Sequence, residues 1–149
     1  MMLDIRKAGA DDLDSATRLF LGYLAFYGKD HSEDAARRFL AERVEHAESV
    51  ILLGRREGAD IAFAQIYPTF SSTRLRRTWV LNDLFVAEPA RGQGVGRELL
   101  RDVVARARAA DAALVSLQTA EDNVVAQALY ESEGFAHGTA FRSYTRMIQ

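Results

Sequence analysis

The sequence contains no cysteine among its 149 residues, which excludes a disulfide framework, a thiolate metal site and a cysteine nucleophile. It also lacks any run of 18 apolar residues, and Asp4 and Arg6 interrupt the N-terminal region early. We therefore expect neither a secretory signal nor a membrane span, and a cytoplasmic location is the default. Neither sign of charge dominates, because the net charge is only -2. This balance argues against a nucleic-acid binder, which would need a broad basic face.

Hydrophobic residues make up 48% of the chain, enough for the core of one domain, which we expect to cover residues 1–149. Apolar spacing predicts an alternation of strands and helices. The expected order is a strand at Leu3–Lys7, a helix capped by Asp11 or Asp12, a helix after Ser32, strands at Val50–Leu53, Ile61–Tyr67 and Trp79–Val86 with a turn at 56–60, a helix from Val95 to Ala107, a strand at Ala113–Leu117, a helix capped by Asn123 and ended by Gly134, and two closing strands within Phe135–Met147.

A glycine-rich turn joins the apolar strand that ends at Val86 to the helix that begins near Val95. Glycines let a backbone approach a ligand closely, and the N–H groups of a first helical turn favour an anion such as a phosphate. A P-loop would need Lys and then Ser or Thr after the last glycine, but Arg97 and Glu98 follow Gly96. A dinucleotide fingerprint would need an acidic residue at the end of the next strand, which Val115–Thr119 lacks. Both of these nucleotide-binding interpretations therefore fail.

The loop Arg91-Gly92-Gln93-Gly94-Val95-Gly96 resembles the pyrophosphate loop of the Gcn5-related N-acetyltransferases (GNAT), whose pattern is Arg or Gln, two residues, Gly, one residue, then Gly or Ala. Downstream, Asn123, Ala128-Leu129-Tyr130 and Gly134-Phe135 resemble a second signature of the same family. The expected element order resembles this fold over nearly the whole chain. The resemblance implies an α/β fold with a mixed, largely antiparallel sheet of about six to seven strands and about four helices.

The resemblance also implies transfer of an acetyl group from acetyl-CoA to a primary amine by direct attack in a ternary complex. By this resemblance, the Val86 amide polarises the thioester carbonyl, Arg91 or Arg97 adds charge at the pyrophosphate, and Leu117–Thr119 flank the pantetheine arm. The full set of implied coenzyme-binding residues is Phe85, Val86, Arg91, Gly92, Gln93, Gly94, Val95, Gly96, Arg97, Thr119, Asn123 and Tyr130.

Tyr130 occupies the position of the family's tyrosine acid, which implies that it protonates the departing thiolate. The alternative for Tyr130 is an ordinary packed tyrosine on a helix. Asn123 has two roles open to it, because an asparagine at a helix start caps backbone N–H groups whether or not it also bonds the coenzyme.

Asp83 is the candidate general base, since a carboxylate on the strand that feeds the loop can take the ammonium proton through water. The alternative is a structural carboxylate that pairs with an arginine. The segment Leu81–Val86 resembles the diamine acetyltransferase and Hpa2-like branches of the family. Members near the polyamine branch carry Glu-Asp where this chain has Asn82-Asp83, so the glutamate often assigned as the base is absent.

We expect no metal, because His31, His46 and His137 lack metal-ligand spacing. The expected partners are a small-molecule or peptide amine and, by resemblance only, a second copy in a homodimer, without nucleic acid or membrane. Two other functions stay open on the sequence: a noncatalytic acetyl-CoA sensor that regulates a partner, and a protein-lysine acetyltransferase. An acceptor pocket lined by aromatics of the first helix and closed by Phe141 and Tyr144 is a further hypothesis.

Overall fold

A computed structural model describes residues 2–149 and has the expected succession of strands and helices up to residue 132. The elements are β1 (Asp4–Lys7), α1 (Leu13–Phe26), α2 (Glu33–Glu45), β2 (Val50–Arg56), β3 (Ala59–Ser71), β4 (Arg76–Val86), α3 (Val95–Ala109), β5 (Val115–Ser116) and α4 (Val124–Ser132), with short 3-10 turns at Ala10–Asp12 and Glu88–Ala90.

The strands form one mixed sheet in the order β1-β2-β3-β4-β5, antiparallel except for the parallel pair β4-β5. The predicted turn between β2 and β3 is confirmed, with Glu57 and Gly58 both at positive φ, as a two-residue hairpin requires. β3 and β4 are longer than predicted and pair from Ala62↔Val86 to Ser71↔Arg76. The mixed α/β fold expected from the sequence is confirmed.

The helices cover the sheet because each has one apolar face. Residues Leu19 and Phe20 of α1 pack with Leu40 of α2 against Leu53 and Phe63 of the sheet. The alternating sheet residues point to the other face, where α3 contacts β3 and β4 with residues that are fully buried, among them Leu99, Leu100 and Val103. α2 begins after Ser32 as predicted, with the Ser32 side chain as its cap, whereas the Asp12 carboxylate does not cap α1.

The prediction of six to seven strands is wrong, because the sheet of the described residues has five. The two closing strands expected within Phe135–Met147 do not form, and residues 136–149 are exposed. Phe141, Tyr144 and Met147 recur every three residues, a spacing that does not place them on one face of a strand. The segment thus lacks the two-residue alternation that holds a strand on a sheet.

Contacts divide the chain into two compact units, one that ends at Gln118 and one that spans Thr119–Gln149. The first unit contains the five-stranded sheet with α1, α2 and α3, and the second contains α4 and the C-terminal segment. Between positions 2 and 149, no helix has the length and apolar character needed to cross a membrane.

Candidate functional site

The loop between β4 and α3 has the backbone that the glycine pattern predicts. Gly92 and Gly94 have φ values of +75° and +79°, in the left-handed region that other residues rarely adopt, and Gly94 is the N-cap of α3. A Cβ atom at either position would meet nothing within 4 Å, so backbone conformation rather than crowding requires these glycines. The first intrahelical bond runs from Glu98 N to Gly94 O, and the three N–H groups before it point out of the helix end.

Arg91 lies between this loop and the end of β4. Its Nε donates to the Val86 carbonyl at 2.8 Å, and its guanidinium lies over the rings of Phe85 and Phe26, 5.4 and 5.6 Å from their centroids. These contacts give the exposed guanidinium a defined position next to the loop. A positive charge is thereby held beside the N-terminus of α3.

Gln93 uses its side chain to hold the loop. Its Nε2 donates to the Pro89 carbonyl at 3.2 Å, and its Oε1 accepts from Arg56 Nη2 at 2.7 Å. The amide is engaged with the protein, so the part of Gln93 that can face a ligand is the backbone. Val95 and Gly96 begin α3, where Val95 is fully buried and anchors the helix, and Arg97 lies in its first turn.

The edge of β4 opens towards its C-terminal end, because β5 pairs with β4 at Trp79 and Val80. Ala87 N donates to Ile61 O of β3, so by strand alternation the N–H and C=O of Val86 point away from β3. The bond from Arg91 to the Val86 carbonyl agrees with that direction. The Val86 N–H thus points to the same open edge of the sheet.

A β-bulge interrupts β4 just before this open edge. Ile66 pairs with Leu81 and Gln65 pairs with Asp83, which leaves Asn82 as the extra residue. Tyr23 of α1 donates to the Asn82 carbonyl at 3.1 Å. A bulge re-aims neighbouring side chains, and here the next residue is the predicted base, Asp83.

Asp83 is 2% exposed, and its carboxylate accepts hydrogen bonds from two neutral amides. Asn82 Nδ2 donates to Oδ1 at 2.8 Å and Gln65 Nε2 donates to Oδ2 at 2.7 Å. Burial raises the pKa of Asp83 above the ordinary carboxyl value, while the hydrogen bonds from Gln65 and Asn82 oppose that rise. The alternative prediction was that Asp83 is a structural carboxylate paired with an arginine. The partners observed at its two oxygens are the amides of Asn82 and Gln65.

Two tyrosines near this carboxylate have raised pKa values. Burial, and then the negative charge of Asp83, raises the pKa of Tyr67 to about 12 and also raises the pKa of Tyr23. Both phenols stay neutral at physiological pH. The environment of Asp83 is therefore a set of neutral hydrogen-bonding groups around one charge.

The second unit contains the other predicted site residues. Asn123 Oδ1 accepts from Ala126 N at 3.2 Å, which confirms the predicted cap of α4, and Gly134 has a φ of +90° after the helix ends. Tyr130 is half-buried, with its ring 6.0 Å from that of Phe135. Thr119 is half-buried at the start of this unit.

Sequence reasoning missed Gln65, Ser49 and the bulge at Asn82. Gln65 is fully buried and is the one strongly polar residue in the otherwise apolar stretch Ile61–Tyr67, a signal that identifies it as unusual. Ser49 gave no comparable signal. A bulge at Asn82 has no sequence signature, because it depends on the register between β3 and β4.

The chain is similar to known and probable acetyltransferases in both sequence and structure. The sequence profile of the acetyltransferase (GNAT) family matches residues 16–135. The uncharacterized N-acetyltransferase YhfO of Bacillus subtilis is 39% identical over 142 residues, which cover 95% of each chain. A probable acetyltransferase of Haemophilus influenzae is 32% identical over 85 residues, 56% of this chain and 58% of its own. The crystal structure of a probable acetyltransferase superposes on this one with a TM-score of 0.92. The two sequences are 40% identical, and the match covers 98% of each chain.

Proposed function

Since the chain belongs to the acetyltransferase (GNAT) family, we propose that it transfers an acetyl group from acetyl-CoA to a primary amine of a small molecule or peptide, by direct attack in a ternary complex. The observation that carries the proposal is the loop at positions 91–96, where two left-handed glycines precede the N-terminus of α3 beside the open edge of β4. Acetyl-CoA is the co-substrate, and the chemistry assigns no step to a metal.

The loop fits a coenzyme pyrophosphate in both shape and charge. The N–H groups at the start of α3 point outwards, and the open space at Gly92 and Gly94 lets a phosphate reach the backbone. Arg91 and Arg97 add positive charge on the loop and in the first turn of the helix. These features support the assignment of Gly92, Gln93, Gly94, Val95 and Gly96 to coenzyme binding through their backbone.

Acetyl-CoA supplies a thioester whose carbonyl carbon accepts the amine. The Val86 N–H, directed to the open edge of β4, donates a hydrogen bond to the carbonyl oxygen as negative charge develops on it. Phe85 and Arg91 support that end of the strand. Asp83 takes a proton from the attacking amine through water, since its ionised carboxylate has lone pairs beyond the two used by amides.

Collapse of the tetrahedral intermediate breaks the C–S bond and leaves a thiolate. We assign its protonation to Tyr130, since a phenol hydroxyl can donate a proton to sulfur. Asn123 and Thr119 are assigned to the coenzyme on the family resemblance. For a neutral amine the protons balance: one leaves the amine nitrogen through water to Asp83, one passes from Tyr130 to the thiolate sulfur, and exchange with solvent returns both side chains to their starting states. An amine that binds as an ammonium ion first loses its extra proton to solvent.

The matched pair Gly94→Ala and Gly58→Ala tests the coenzyme site. The two glycines have φ values of +79° and +78° and equally open surroundings, but Gly58 lies in the β2-β3 turn. Alanine in the left-handed region costs about 1–2 kcal/mol, so both variants lose a similar free energy of unfolding. Isothermal titration should show acetyl-CoA binding weakened at least about tenfold by Gly94→Ala, a loss of about 1.4 kcal/mol, and unchanged by Gly58→Ala. Equal affinities in both variants would contradict the proposed site.

The finer assignments within the family are also proposals. The segment Leu81–Val86 supports the diamine acetyltransferase and Hpa2-like branch, while Asn82, at the bulge, replaces that branch's glutamate. A homodimer and a cytoplasmic location follow from the family resemblance and the default expectation. Light scattering at micromolar protein concentration distinguishes a mass near 33 kDa, about twice the chain's 16.6 kDa, from that of a monomer.

A further inference from the structure

We propose that Gln65, held in place by Ser49, is a positioning residue that fixes the Asp83 carboxylate and favours its ionised form for deprotonation of the amine. This inference rests on the proposed function, in which Asp83 is the base. It adds two buried residues, from β3 and from the turn before β2, to the machinery on β4.

The three side chains form a linear chain of hydrogen bonds across neighbouring strands. Ser49 Oγ donates to Gln65 Oε1 at 2.9 Å, and Gln65 Nε2 donates to Asp83 Oδ2 at 2.7 Å. Gln65 is directly paired with Asp83 in the β3-β4 register. Their exposed fractions are 8% for Ser49, 0% for Gln65 and 2% for Asp83, so the three side chains are shielded from bulk solvent.

The chemistry of each group sets the direction of the chain. An ionised carboxylate only accepts hydrogen bonds, so Gln65 must turn its NH₂ group towards Asp83. That leaves the carbonyl oxygen of the amide on the other side, where it needs a donor, and the Ser49 hydroxyl supplies one. A flipped amide would place two acceptors against each other at Asp83. The ionised carboxylate therefore sets the amide orientation, and the Ser49 hydroxyl, by donating to Gln65 Oε1, holds the amide in it.

The Gln65 amide affects the pKa of Asp83, which an apolar side chain of the same size would not do through a hydrogen bond. Burial raises the pKa of Asp83, and the Gln65 hydrogen bond lowers it. The other groups facing the carboxylate are Asn82 of β4, which donates to it, and the phenols of Tyr23 on α1 and Tyr67 on β3. On α2, the positive charge of Arg43 partly opposes the rise in the pKa of Tyr67. Among these groups Gln65 makes the shortest hydrogen bond to the carboxylate, and it is the one fully buried.

The test is a ¹³C NMR titration of the Asp83 side-chain carboxyl, combined with the pH dependence of kcat/KM. Gln65→Met keeps the length and apolar volume of the side chain but removes the donor. We expect the Asp83 midpoint and the acidic limb of kcat/KM to move together to higher pH, with kcat/KM at pH 7 reduced about tenfold. Ser49→Ala should move both in the same direction by less, and it keeps the test valid if Gln65→Met folds poorly.

Thr17→Val is the matched control, because Thr17 has a buried hydroxyl without a hydrogen-bond partner in the described chain and lies on α1. It should leave the midpoint and the limb unchanged. A purely structural role for Gln65 would lower kcat/KM equally at every pH and leave the midpoint in place, which overturns the inference. If the midpoint moves but the acidic limb does not, Gln65 still controls the carboxyl and the base assignment of the proposed function fails instead.

Discussion

At the scale of the residue, Asp83 combines burial with hydrogen bonds from two amide side chains, which favour its ionised form. Its pKa is raised by burial, which brings a carboxyl closer to the pH at which a general base is effective. The tyrosines beside it remain neutral. The carboxylate is therefore the group near the bulge whose charge changes with pH in the acidic range.

Replacement of Asp83 by Asn should reduce kcat/KM by about 100-fold at neutral pH, since general base catalysis contributes at least that much. The ionised carboxylate is the active form and its pKa is raised, so the wild-type acidic limb should lie above the ordinary Asp value of 3.8. The limb should vanish in the variant. Initial rates from pH 4 to 9 measure it, with acetyl-CoA affinity as the control, and an unchanged limb would rule Asp83 out as the base.

Removal of the Tyr130 hydroxyl should slow turnover without loss of the helix. The ring of Tyr130 packs 6.0 Å from that of Phe135, a contact that Tyr130→Phe retains. We expect kcat to fall about 10- to 100-fold while the Kd for acetyl-CoA stays constant. Ser132→Ala removes a hydroxyl of the same helix, one that donates to the Leu129 carbonyl at 2.7 Å, and is the control that should behave as wild type. Equal kcat for both variants would show that Tyr130 is not the acid.

At the scale of the element, α1 and β4 meet where the loop is held in place. Gly22 of α1 lies so close to Phe85 that a Cβ atom there would be 2.8 Å from two ring carbons. The same ring lies under the Arg91 guanidinium. Packing of this helix thus reaches the coenzyme loop through one aromatic side chain.

Gly22→Ala should weaken coenzyme binding although alanine favours helix formation. The added methyl group displaces the Phe85 ring and with it the contact to Arg91, while the gain in helix propensity is about 1 kcal/mol. We expect the Kd for acetyl-CoA to rise about threefold to tenfold in isothermal titration. Gly9→Ala, at a position where a Cβ meets nothing within 4 Å, should leave the Kd unchanged. An unaltered Kd in Gly22→Ala would show that Phe85 does not transmit α1 packing to the loop.

The sequence was sufficient for elements whose signal is local. Ser32 and Asn123 are caps whose side chains bond nearby N–H groups, and Gly94 marks a left-handed turn before α3, so the helices were predictable. The bulge at Asn82 and the bond from Gln65 to Asp83 depend on strand register, which is a long-range property. The prediction of two closing strands within Phe135–Met147 was wrong, because apolar residues alone do not supply a strand with a pairing partner.

At the scale of the whole molecule, hydrogen bonds to Asp60 connect three elements of the first unit, β1, β2 and α1. The Asp60 side chain is 1% exposed and bonds Arg6 of β1 at 2.8 and 3.1 Å and Arg55 of β2 at 3.2 and 3.3 Å. Its backbone carbonyl accepts from Arg18 of α1 at 2.9 Å. The hydrogen bond from Arg6 is the main reason that the pKa of Asp60 lies well below its ordinary value.

This cluster predicts how stability changes in acid. A lowered pKa means that the stabilisation is fully present above the ordinary carboxyl value of 3.8 and is lost as the pH falls below it. Asp60→Asn should lower the free energy of unfolding by about 2 kcal/mol at pH 7, because buried donors lose a charged acceptor. The difference from wild type should shrink below pH 3.8. Urea unfolding at several pH values measures both, and a difference that is constant with pH would contradict the assignment.

The control for that experiment is Asp111→Asn. Asp111 forms an ion pair with Arg76 at 3.2 Å, but its side chain is 92% exposed, so the same substitution should produce no measurable change. The contrast separates the buried cluster from ion pairing in general.

The central claim is that this chain acetylates amines, and acetyl-CoA-dependent thiol release tests it most directly. The acceptor panel should span polyamines, amino acids, aminoglycosides and basic peptides, with reactions lacking acceptor as the blank. We predict acceptor-dependent release that matches, mole for mole, the acetylated amine found by mass spectrometry. Tight acetyl-CoA binding with no release above the blank for any acceptor would contradict the account and favour a coenzyme-binding sensor.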